Sequence, residues 1–317
     1  MPHRPQILLV KSGGPESLPE WRAAFAPICP DLEIRWWDDP DVDPKDVVFV
    51  LVWQPTPGRL AKFPNLEVIF SSAAGVDHIL ADPDLPRHLP IVRNASAETL
   101  QSVGEYVCLG VLALQRDLKR ALRAQSEHRW DEFQVTGTAS QTRIGVMGLG
   151  NIGLTALRML HGLGYPLRGW SLSAKSIADV TCYAGLAQLD EFLRNTDILV
   201  GLLPETSLTR GLISAQQLAM LPKNAGIVSA GRGSLLVMKD LLAALDSGHL
   251  RGAVLDVFEQ EPLPSADPVW DHPKIIVTGH IAGFASRQGR AAYVAQAINA
   301  WRRGEALPNL YQADRGY

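Results

Sequence analysis

The chain alternates short apolar runs with helix-like segments, and this alternation constrains its fold more than any other feature. Short, β-branched runs of this kind are typical of buried strands, and strands separated by helices form parallel sheets that are covered on both faces. The runs form two successive series, so the sequence predicts two doubly wound α/β domains. The first series is QILLV (6–10), LEIRW (32–36), DVVFVLV (46–52), LEVIF (66–70) and IVR (91–93), and the second is RIGVM (143–147), PLRGW (166–170), DILVGLL (197–203), AGIVSA (225–230), GAVLDVF (252–258) and KIIVTG (274–279).

The two series are joined by a long helical pattern over 95–125, and a last helical pattern near 287–303 has no strand after it. We therefore expect the last helix to return to the first domain, which makes that domain discontinuous. The predicted domains are 1–96 plus 290–317, and 97–289. A chain of 317 residues is long enough for two domains with cores of their own.

Composition excludes several classes of function. The net charge is −3 and the pI about 6.2, with no run of Lys or Arg, so nucleic acid and anionic membrane are poor partners. The three cysteines have no C-x-x-C spacing, and no H-x-x-x-H motif or carboxylate cluster is present, so we expect no disulfide framework and no metal. No signal core or run of ~18 apolar residues is visible, which leaves the cytoplasm as the expected compartment.

A dinucleotide-binding motif lies between the first strand and first helix of the second series. Gly148-Leu149-Gly150-Asn151-Ile152-Gly153 is a G-x-G-x-x-G sequence that follows IGVM directly. The first glycine permits a tight turn, the second lets the backbone approach a pyrophosphate, and the third allows close packing of helix on strand. Because the helix N-terminus also offers N–H groups to an anion, we expect a nicotinamide dinucleotide here rather than a ligand-free turn.

The end of the next strand favours NADP over NAD. An NAD site commonly has Asp or Glu at this point to bind the ribose hydroxyls. In GWSLSAKS (169–176) the polar residues are Ser171, Ser173, Lys175 and Ser176, and the first carboxylate is Asp179. Hydroxyls and a cation suit a 2′-phosphate, and the less favoured alternative is that Lys175 is only a solvated loop charge.

Residues suited to binding an anion or moving a proton follow three further strands. Arg232 lies between two glycines in SAGRGS, Glu261 in DVFEQEPLP and His280 in TGHIAG. Arginine forms a rigid fork for carboxylates, histidine exchanges protons near neutral pH, and a carboxylate beside it orients the ring. With a dinucleotide, these groups suffice to reduce a 2-keto acid.

These segments together resemble the D-isomer-specific 2-hydroxyacid dehydrogenase family over nearly the whole chain, most strongly a bacterial subgroup that reduces glyoxylate and hydroxypyruvate. The resemblance rests on the set as a whole, since no single motif is specific. The motifs that carry it include VLVWQP (50–55), SSAAGVDHIL (71–80), LALQR (112–116), GVMGLGNIG (145–153), WSLSAKS (170–176), LLPET (202–206), GRGSLLV (231–237), LLAALDSGHLRGAVLDVFEQEPLP (241–264), VWDHPKIIVTGHIA (269–282) and ADRGY (313–317).

The resemblance implies a role for each matching residue. Arg232 would bind the substrate carboxylate and carbonyl, His280 would give its proton to the carbonyl oxygen, and Glu261 would hold the histidine. On the substrate side it implies Trp53 in the pocket and the N–H groups of Ala74, Gly75 and Val76 on the carboxylate. Besides the glycine motif, it implies cofactor contacts from Ser171, Ser173, Lys175, Leu203, Pro204, Thr209, Ala230, Asp256, His280 and Ala282.

At the level of the whole chain, the resemblance implies a flavodoxin-like substrate domain (1–96 plus 290–317), a Rossmann domain (97–289) and an active site in the cleft between them. It also implies a homodimer formed through the cofactor domain, with the long helix after residue 95 at the interface.

Four positions depart from the pattern of the family. Relatives commonly have Arg at position 172, where this chain has Leu172, and Pro at position 279, where it has Gly279. Gln54 and Ala73 also replace the usual His and Gly on the substrate side. The first change weakens the preference for NADP, the second loosens the loop that holds His280, and the others affect the choice of substrate.

The sequence therefore predicts an NAD(P)H-dependent reductase of small 2-keto acids, glyoxylate and hydroxypyruvate first. A dehydrogenase of bulkier 2-keto acids such as phenylpyruvate is one alternative. A non-catalytic protein that senses nucleotides is another, and the complete set of Arg, Glu and His argues against it.

Overall fold

The computed structural model describes residues 6–135, 137–313 and 316. The first five residues and most of the ADRGY motif lie outside the described residues. The chain divides into two compact units, 1–99 with 285–317, and 100–284. Each unit contains one sheet, and every strand pair in both sheets is parallel. The predicted class of two parallel α/β sheets is confirmed.

The first unit is a five-stranded sheet with the strand order β2-β1-β3-β4-β5, a flavodoxin-like order. Its strands are β1 (Ile7–Lys11), β2 (Glu33–Trp36), β3 (Val47–Val52), β4 (Val68–Ser71) and β5 (Ile91–Val92), and its helices are α1 (Leu18–Phe25), α2 (Asp77–Leu80) and α9 (Arg287–Arg302).

Both faces of this sheet are buried, as the uninterrupted apolar runs predict. Successive residues of a strand point to opposite faces, so Leu8 and Val10 pack in the cluster under α1 and α9, and Ile7 and Leu9 pack in the cluster on the other face. Trp301 of α9 contacts Phe49 of the sheet edge to face, with ring centroids 5.2 Å apart. The last helix therefore belongs to the core of the first unit.

The second unit is a seven-stranded sheet with the strand order β12-β11-β10-β9-β6-β7-β8. The order reverses between β6 and β9, and in open sheets this is the point where ligands bind at the carboxyl ends of the strands. Its strands are β6 (Ile144–Met147), β7 (Leu167–Ser171), β8 (Val180–Ala184), β9 (Ile198–Gly201), β10 (Ala225–Ser229), β11 (Leu250–Leu255) and β12 (Ile275–Val277), and its helices are α4 (Leu118–Ser126), α5 (Asn151–Gly162), α6 (Leu189–Arg194), α7 (Ala215–Met220) and α8 (Met238–Asp246), with α3 (Ala97–Gln115) entering it from the first unit.

Two elements differ from the sequence prediction. The helical pattern over 95–125 is two helices, because Asp117 adopts a left-handed backbone (φ 49°) between α3 and α4. Aspartate tolerates this conformation better than most residues. The strand β8 was not predicted, because it lies at the sheet edge and its sequence VTCYA is only partly buried.

Among the described residues, no helix combines the length and the apolar character needed to cross a membrane. In the same part of the chain, no group of three His, Cys, Asp or Glu side chains is placed to hold a metal ion. The compartment stays a prediction.

Candidate active site

His280 and Glu261 form a hydrogen-bonded pair in the second unit. Nδ1 of His280 lies 2.6 Å from Oε2 of Glu261, and both side chains are partly exposed. The backbone N–H of Phe258 donates to Oε1 of Glu261 at 2.8 Å, which fixes the carboxylate from its other side. Because Nδ1 faces the carboxylate, Nε2 is the ring nitrogen that can exchange a proton with a substrate.

The loop that carries His280 is fastened to a buried carboxylate. Asp256 is 1% exposed and follows β11. Its oxygens accept hydrogen bonds from the N–H groups of Ile281 (2.8 Å) and Ala282 (2.9 Å), and its carbonyl accepts from the N–H of His280 at 2.8 Å. His280 is held in a left-handed backbone conformation (φ 56°), which is unusual for a residue with a side chain. The loop is therefore well anchored although it contains Gly279.

Two hydroxyl groups connect the carboxylate of Asp256 to the helix α3. Thr278 Oγ1 donates to Asp256 Oδ1 at 2.6 Å and lies 2.7 Å from the hydroxyl of Tyr106. Because the threonine proton is used on the carboxylate, the tyrosine must be the donor in the second bond. Burial raises the pKa of Tyr106 to about 12, which keeps this donor protonated.

Arg232 follows β10 in an extended conformation and precedes a 3₁₀ turn over Gly233–Leu235. Its Nη1 donates to the carbonyl of Gly231 at 2.9 Å. A Cβ at position 233 would overlap the backbone of Phe258, so glycine is required for this turn to pack against the segment after β11. The turn thereby places Arg232 and the segment that leads to Glu261 at one edge of the sheet.

The glycine motif forms a cradle at the point where the strand order reverses. Gly148 has a φ of 103°, and a Cβ at Gly153 would collide with the carbonyl oxygen of Gly148, so the first and third glycines are required by the turn and by the packing of α5. No atom lies within 4 Å of a Cβ built at Gly150. The helix α5 begins at Asn151, directly after this open position, and the first N–H groups of a helix have no partner within it. The cradle fits a pyrophosphate.

The segment after β7 has the residues expected for a 2′-phosphate. The hydroxyl of Ser171 donates to the carbonyl of Ser173 at 2.8 Å and so shapes the loop. Lys175 and Leu172 are exposed in the same loop. Between Ser171 and Asp179 this loop contains no carboxylate.

The segment after β9 borders the cradle. A Cβ at Gly148 would lie 3.0 Å from the carbonyl oxygen of Leu202, directly before Leu203. Thr209 is buried, and its hydroxyl donates to the carbonyl of Pro204 at 2.6 Å and accepts the N–H of Thr206 at 2.8 Å. The threonine hydroxyl therefore holds residues 204–209 in a compact turn.

The predicted substrate residues lie at the carboxyl edge of the first sheet. The indole of Trp53 is 40% exposed and stacks on the imidazole of His78 with centroids 4.3 Å apart. Next to it, Gln54 has a left-handed backbone (φ 48°), and its carbonyl accepts from Nζ of Lys11 at 2.7 Å. The tilted ring contact therefore places the indole against His78, and the bond from Lys11 holds the backbone directly after the tryptophan.

The loop after β4 presents backbone donors. Ser71 Oγ donates to the carbonyl of Gly75 at 2.8 Å, and the N–H of Asn94 donates to the carbonyl of Ala73 at 3.0 Å, so these two carbonyls are occupied. Among the described residues, no hydrogen bond is made by the N–H groups of Ala74, Gly75 or Val76. These three N–H groups are therefore available to an anion such as a carboxylate.

Comparison with known proteins identifies the family. The family model described as "D-isomer specific 2-hydroxyacid dehydrogenase, NAD binding domain" matches residues 108–282. The chain belongs to this family. A glyoxylate/hydroxypyruvate reductase A of Klebsiella pneumoniae (strain 342) is 38% identical over 312 residues, which cover 94% of this chain and 96% of that protein.

Two solved structures of the family resemble this 2-hydroxyacid dehydrogenase closely. One, from Xanthobacter autotrophicus Py2 in complex with NADPH and MES, has a TM-score of 0.92 at 36% identity and covers 98% of this chain and 99% of its own. The other is an NADPH-dependent glyoxylate/hydroxypyruvate reductase of Sinorhizobium meliloti in complex with NADP and sulfate, with a TM-score of 0.89 at 35% identity over 98% of this chain and 100% of its own.

These likenesses confirm the family, the enzyme class and the nicotinamide-dinucleotide domain that the sequence predicts. The roles of individual residues stay predictions. The sequence reasoning missed Tyr106 and Thr278, which lie 172 positions apart and meet only in the fold. It placed Asp256 among the cofactor contacts, and the structure gives that carboxylate three donors of the His280 loop.

Proposed function

We propose that the chain reduces small 2-keto acids, glyoxylate and hydroxypyruvate first, to 2-hydroxy acids with NADPH. The observation that carries the proposal is the 2.6 Å pair of His280 and Glu261 in the unit that contains the dinucleotide cradle. The Klebsiella and Sinorhizobium relatives are named as reductases of these two acids, which supports the choice of substrate.

In the proposed reaction, bound NADPH supplies the hydride to the carbonyl carbon. The chain supplies position and a proton. Arg232 binds the substrate carboxylate through its guanidinium fork. Glu261 holds Nδ1 of His280, so Nε2 is the ring nitrogen that faces the substrate and gives its proton to the carbonyl oxygen as the hydride arrives at the carbon. The 2-keto acid thus gains one hydride and one proton, and the imidazole takes a new proton from water.

The preference for NADP rests on the loop after β7. Ser171, Ser173 and Lys175 would hold the 2′-phosphate in place of an arginine at position 172. Replacing Lys175 with Met should raise KM for NADPH about tenfold and leave KM for NADH within twofold, because only NADPH carries the phosphate. Lys223→Met, an exposed lysine elsewhere in the unit, is the control. Equal effects of Lys175→Met on both cofactors would exclude a specific phosphate contact.

A homodimer is the assembly we propose for the chain. Leucines 109, 112, 118 and 122 expose between 37% and 59% of their surface along α3 and α4, and Trp130 exposes 89%. Exposed large apolar residues that are continuous along two helices are typical of an interface between subunits. A second copy of the chain is the occupant implied by the family resemblance.

The test of the proposed function is the initial rate with glyoxylate, hydroxypyruvate and phenylpyruvate, each with NADPH and with NADH, followed at the absorbance of the reduced cofactor. We expect oxidation of NADPH with the two small acids. A preference for phenylpyruvate would favour the bulkier-acid alternative. Tight cofactor binding without turnover of any acid would instead favour a nucleotide-sensing protein.

A further inference from the structure

The turn that carries Arg232 packs directly on the loop after β9, which borders the glycine cradle. A Cβ built at Gly231 would lie 2.8 Å from the carbonyl oxygen of Leu203, so glycine is needed for the two backbones to approach this closely. Two residues after the arginine, the carbonyl of Ser234 accepts the N–H of Gly211 at 2.7 Å. Backbone contacts on both sides of Arg232 therefore join its turn to the loop after β9.

The side chain of Glu205 adds a second connection between the same two segments. Oγ of Ser234 donates to Oε2 of Glu205 at 2.8 Å, and Arg210 donates to the other oxygen of that carboxylate. Nη1 of Arg210 also donates to Glu259 at 2.6 Å, in the segment that leads from β11 to Glu261. Glu205 and Arg210 thus connect the loops that follow β9, β10 and β11.

Of these bonds, the one between Ser234 and Glu205 should matter most for the position of the turn. Ser234 is only 6% exposed, so its hydroxyl has no easy replacement by water if the carboxylate is removed. The side chains of Arg210 and Glu259 are 52% and 72% exposed, and ion pairs in contact with water contribute little. We therefore expect Arg210 to have the smaller effect.

We propose that Glu205 is a positioning residue: through Ser234 it holds the turn after β10 where the guanidinium of Arg232 can bind the substrate carboxylate. The proposal rests on the proposed function, because it requires that Arg232 binds a 2-keto acid. A guanidinium fork needs narrow limits of distance and angle, so a small shift of the turn weakens its hold on the carboxylate. The glycine cradle meets the same loop through the backbone of Leu202, so the cofactor should be little affected.

The experiment compares the steady-state kinetics of the wild type with those of Glu205→Ala, Ser234→Ala and the double variant, with glyoxylate and NADPH as substrates. Binding of oxamate, an analogue of glyoxylate that is not reduced, is titrated at saturating NADPH and needs no turnover. The matched controls are Ser207→Ala, an exposed serine of the same loop, and Glu191→Ala, an exposed glutamate on α6.

We expect KM for glyoxylate and the dissociation constant of oxamate to rise about tenfold in Glu205→Ala and in Ser234→Ala, because one hydrogen bond to a charged group is lost. The double variant should be no worse than either single variant, since both act through the same bond. Arg210→Gln should change these constants by less than about threefold. A general loss of structure would also weaken NADPH binding, whereas a positioning role leaves NADPH affinity and the two controls unchanged.

Two results would overturn the role of Glu205 and leave the proposed function standing: single variants that reduce glyoxylate and bind oxamate like the wild type, or effects that add in the double variant. If Ser234→Ala fails to fold, Glu205→Ala decides between these results. A wild type that binds oxamate but reduces no 2-keto acid contradicts the proposed function alone, and the oxamate titrations then decide the role of Glu205. A wild type that neither binds oxamate nor reduces a 2-keto acid contradicts both.

Discussion

At the scale of single residues, the proposed proton transfer depends on the hydrogen bond between His280 and Glu261. The histidine backbone is fixed by Asp256 and the glutamate by the N–H of Phe258, so both partners are held before a substrate arrives. Preorganisation of this kind is what general acid catalysis requires, because the proton must move along a defined direction.

Replacing His280 with Ala should lower kcat for glyoxylate by about 10²–10⁴-fold, because the proton donor is lost. Glu261→Gln should lower it less, since the amide keeps one acceptor oxygen and can hold either the N–H of Phe258 or Nδ1 of His280, but not both. Stopped-flow and steady-state rates measure both effects. NADPH affinity, followed by fluorescence, should stay within twofold of the wild type. Near-normal turnover of His280→Ala would remove this residue as the proton donor.

The raised pKa of Tyr106 predicts that the folded state becomes less stable at alkaline pH. Its pKa is raised from 10 to about 12 by burial, so the folded state retains a proton that the unfolded state loses between these pH values. Its stabilising contribution is complete below pH 10 and falls as the pH rises towards 12, by on the order of 2 kcal/mol.

The variant Tyr106→Phe tests this contribution. At pH 9 it should be less stable than the wild type by about 1 kcal/mol, because its hydrogen bond to Thr278 is lost. The gap in unfolding free energy should close or reverse at pH 11.5, since phenylalanine has no proton to lose. Urea unfolding at the two pH values gives the comparison, and a gap that stays constant would contradict the assignment.

At the scale of elements, two glycines that flank the candidate catalytic residues should respond in opposite ways to the same change. A Cβ at Gly279 meets no atom within 4 Å and its φ lies outside the left-handed region, so Gly279→Ala should stabilise the chain by about 0.4–1 kcal/mol through the unfolded state. Gly233→Ala forces the turn after Arg232 away from Phe258 and should cost about 1–3 kcal/mol.

Thermal unfolding and KM for the keto acid measure this pair of glycine variants. We expect Gly233→Ala to raise KM as well, because the turn positions Arg232, whereas Gly279→Ala should keep both kinetic constants. An equal loss of stability in the two variants would show that the packing against Phe258 is not what requires glycine at position 233.

Some elements could be predicted from the sequence and others could not, for physical reasons. Buried strands such as β3 and β10 are apolar on both faces and are recognisable by composition alone. The edge strand β8 is half-exposed and lacks that signal. The candidate catalytic residues were recognisable because they follow predicted strands and lie next to glycines. The bonds between Asp256 and the loop 278–282 were not, because they depend on the pairing of Leu255 with Val277, and that pairing exists only in the folded sheet.

At the scale of the whole molecule, the exposed apolar residues of α3 and α4 require an explanation beyond the single chain. Leu109 and Leu112 are one turn apart on α3, and Leu118 and Leu122 are one turn apart on α4. Full burial of a large apolar side chain is worth roughly 1.5–3 kcal/mol, and the exposed parts of these leucines and of Trp130 forfeit a corresponding share of it. A homodimer through this surface recovers that free energy without changing the core of either unit.

If the proposed dimer forms through this surface, Leu109→Glu combined with Leu122→Glu should convert it to a monomer, because two charges per subunit would be buried unpaired at the interface. Sedimentation equilibrium at micromolar concentration measures the mass of the assembly directly. The matched control is Leu186→Glu with Leu208→Glu, two similarly exposed leucines at other places in the same unit, which should leave the mass unchanged. A wild-type chain that sediments at 34.6 kDa would refute the dimer, and a dimer that survives the α3 and α4 changes would place the interface elsewhere.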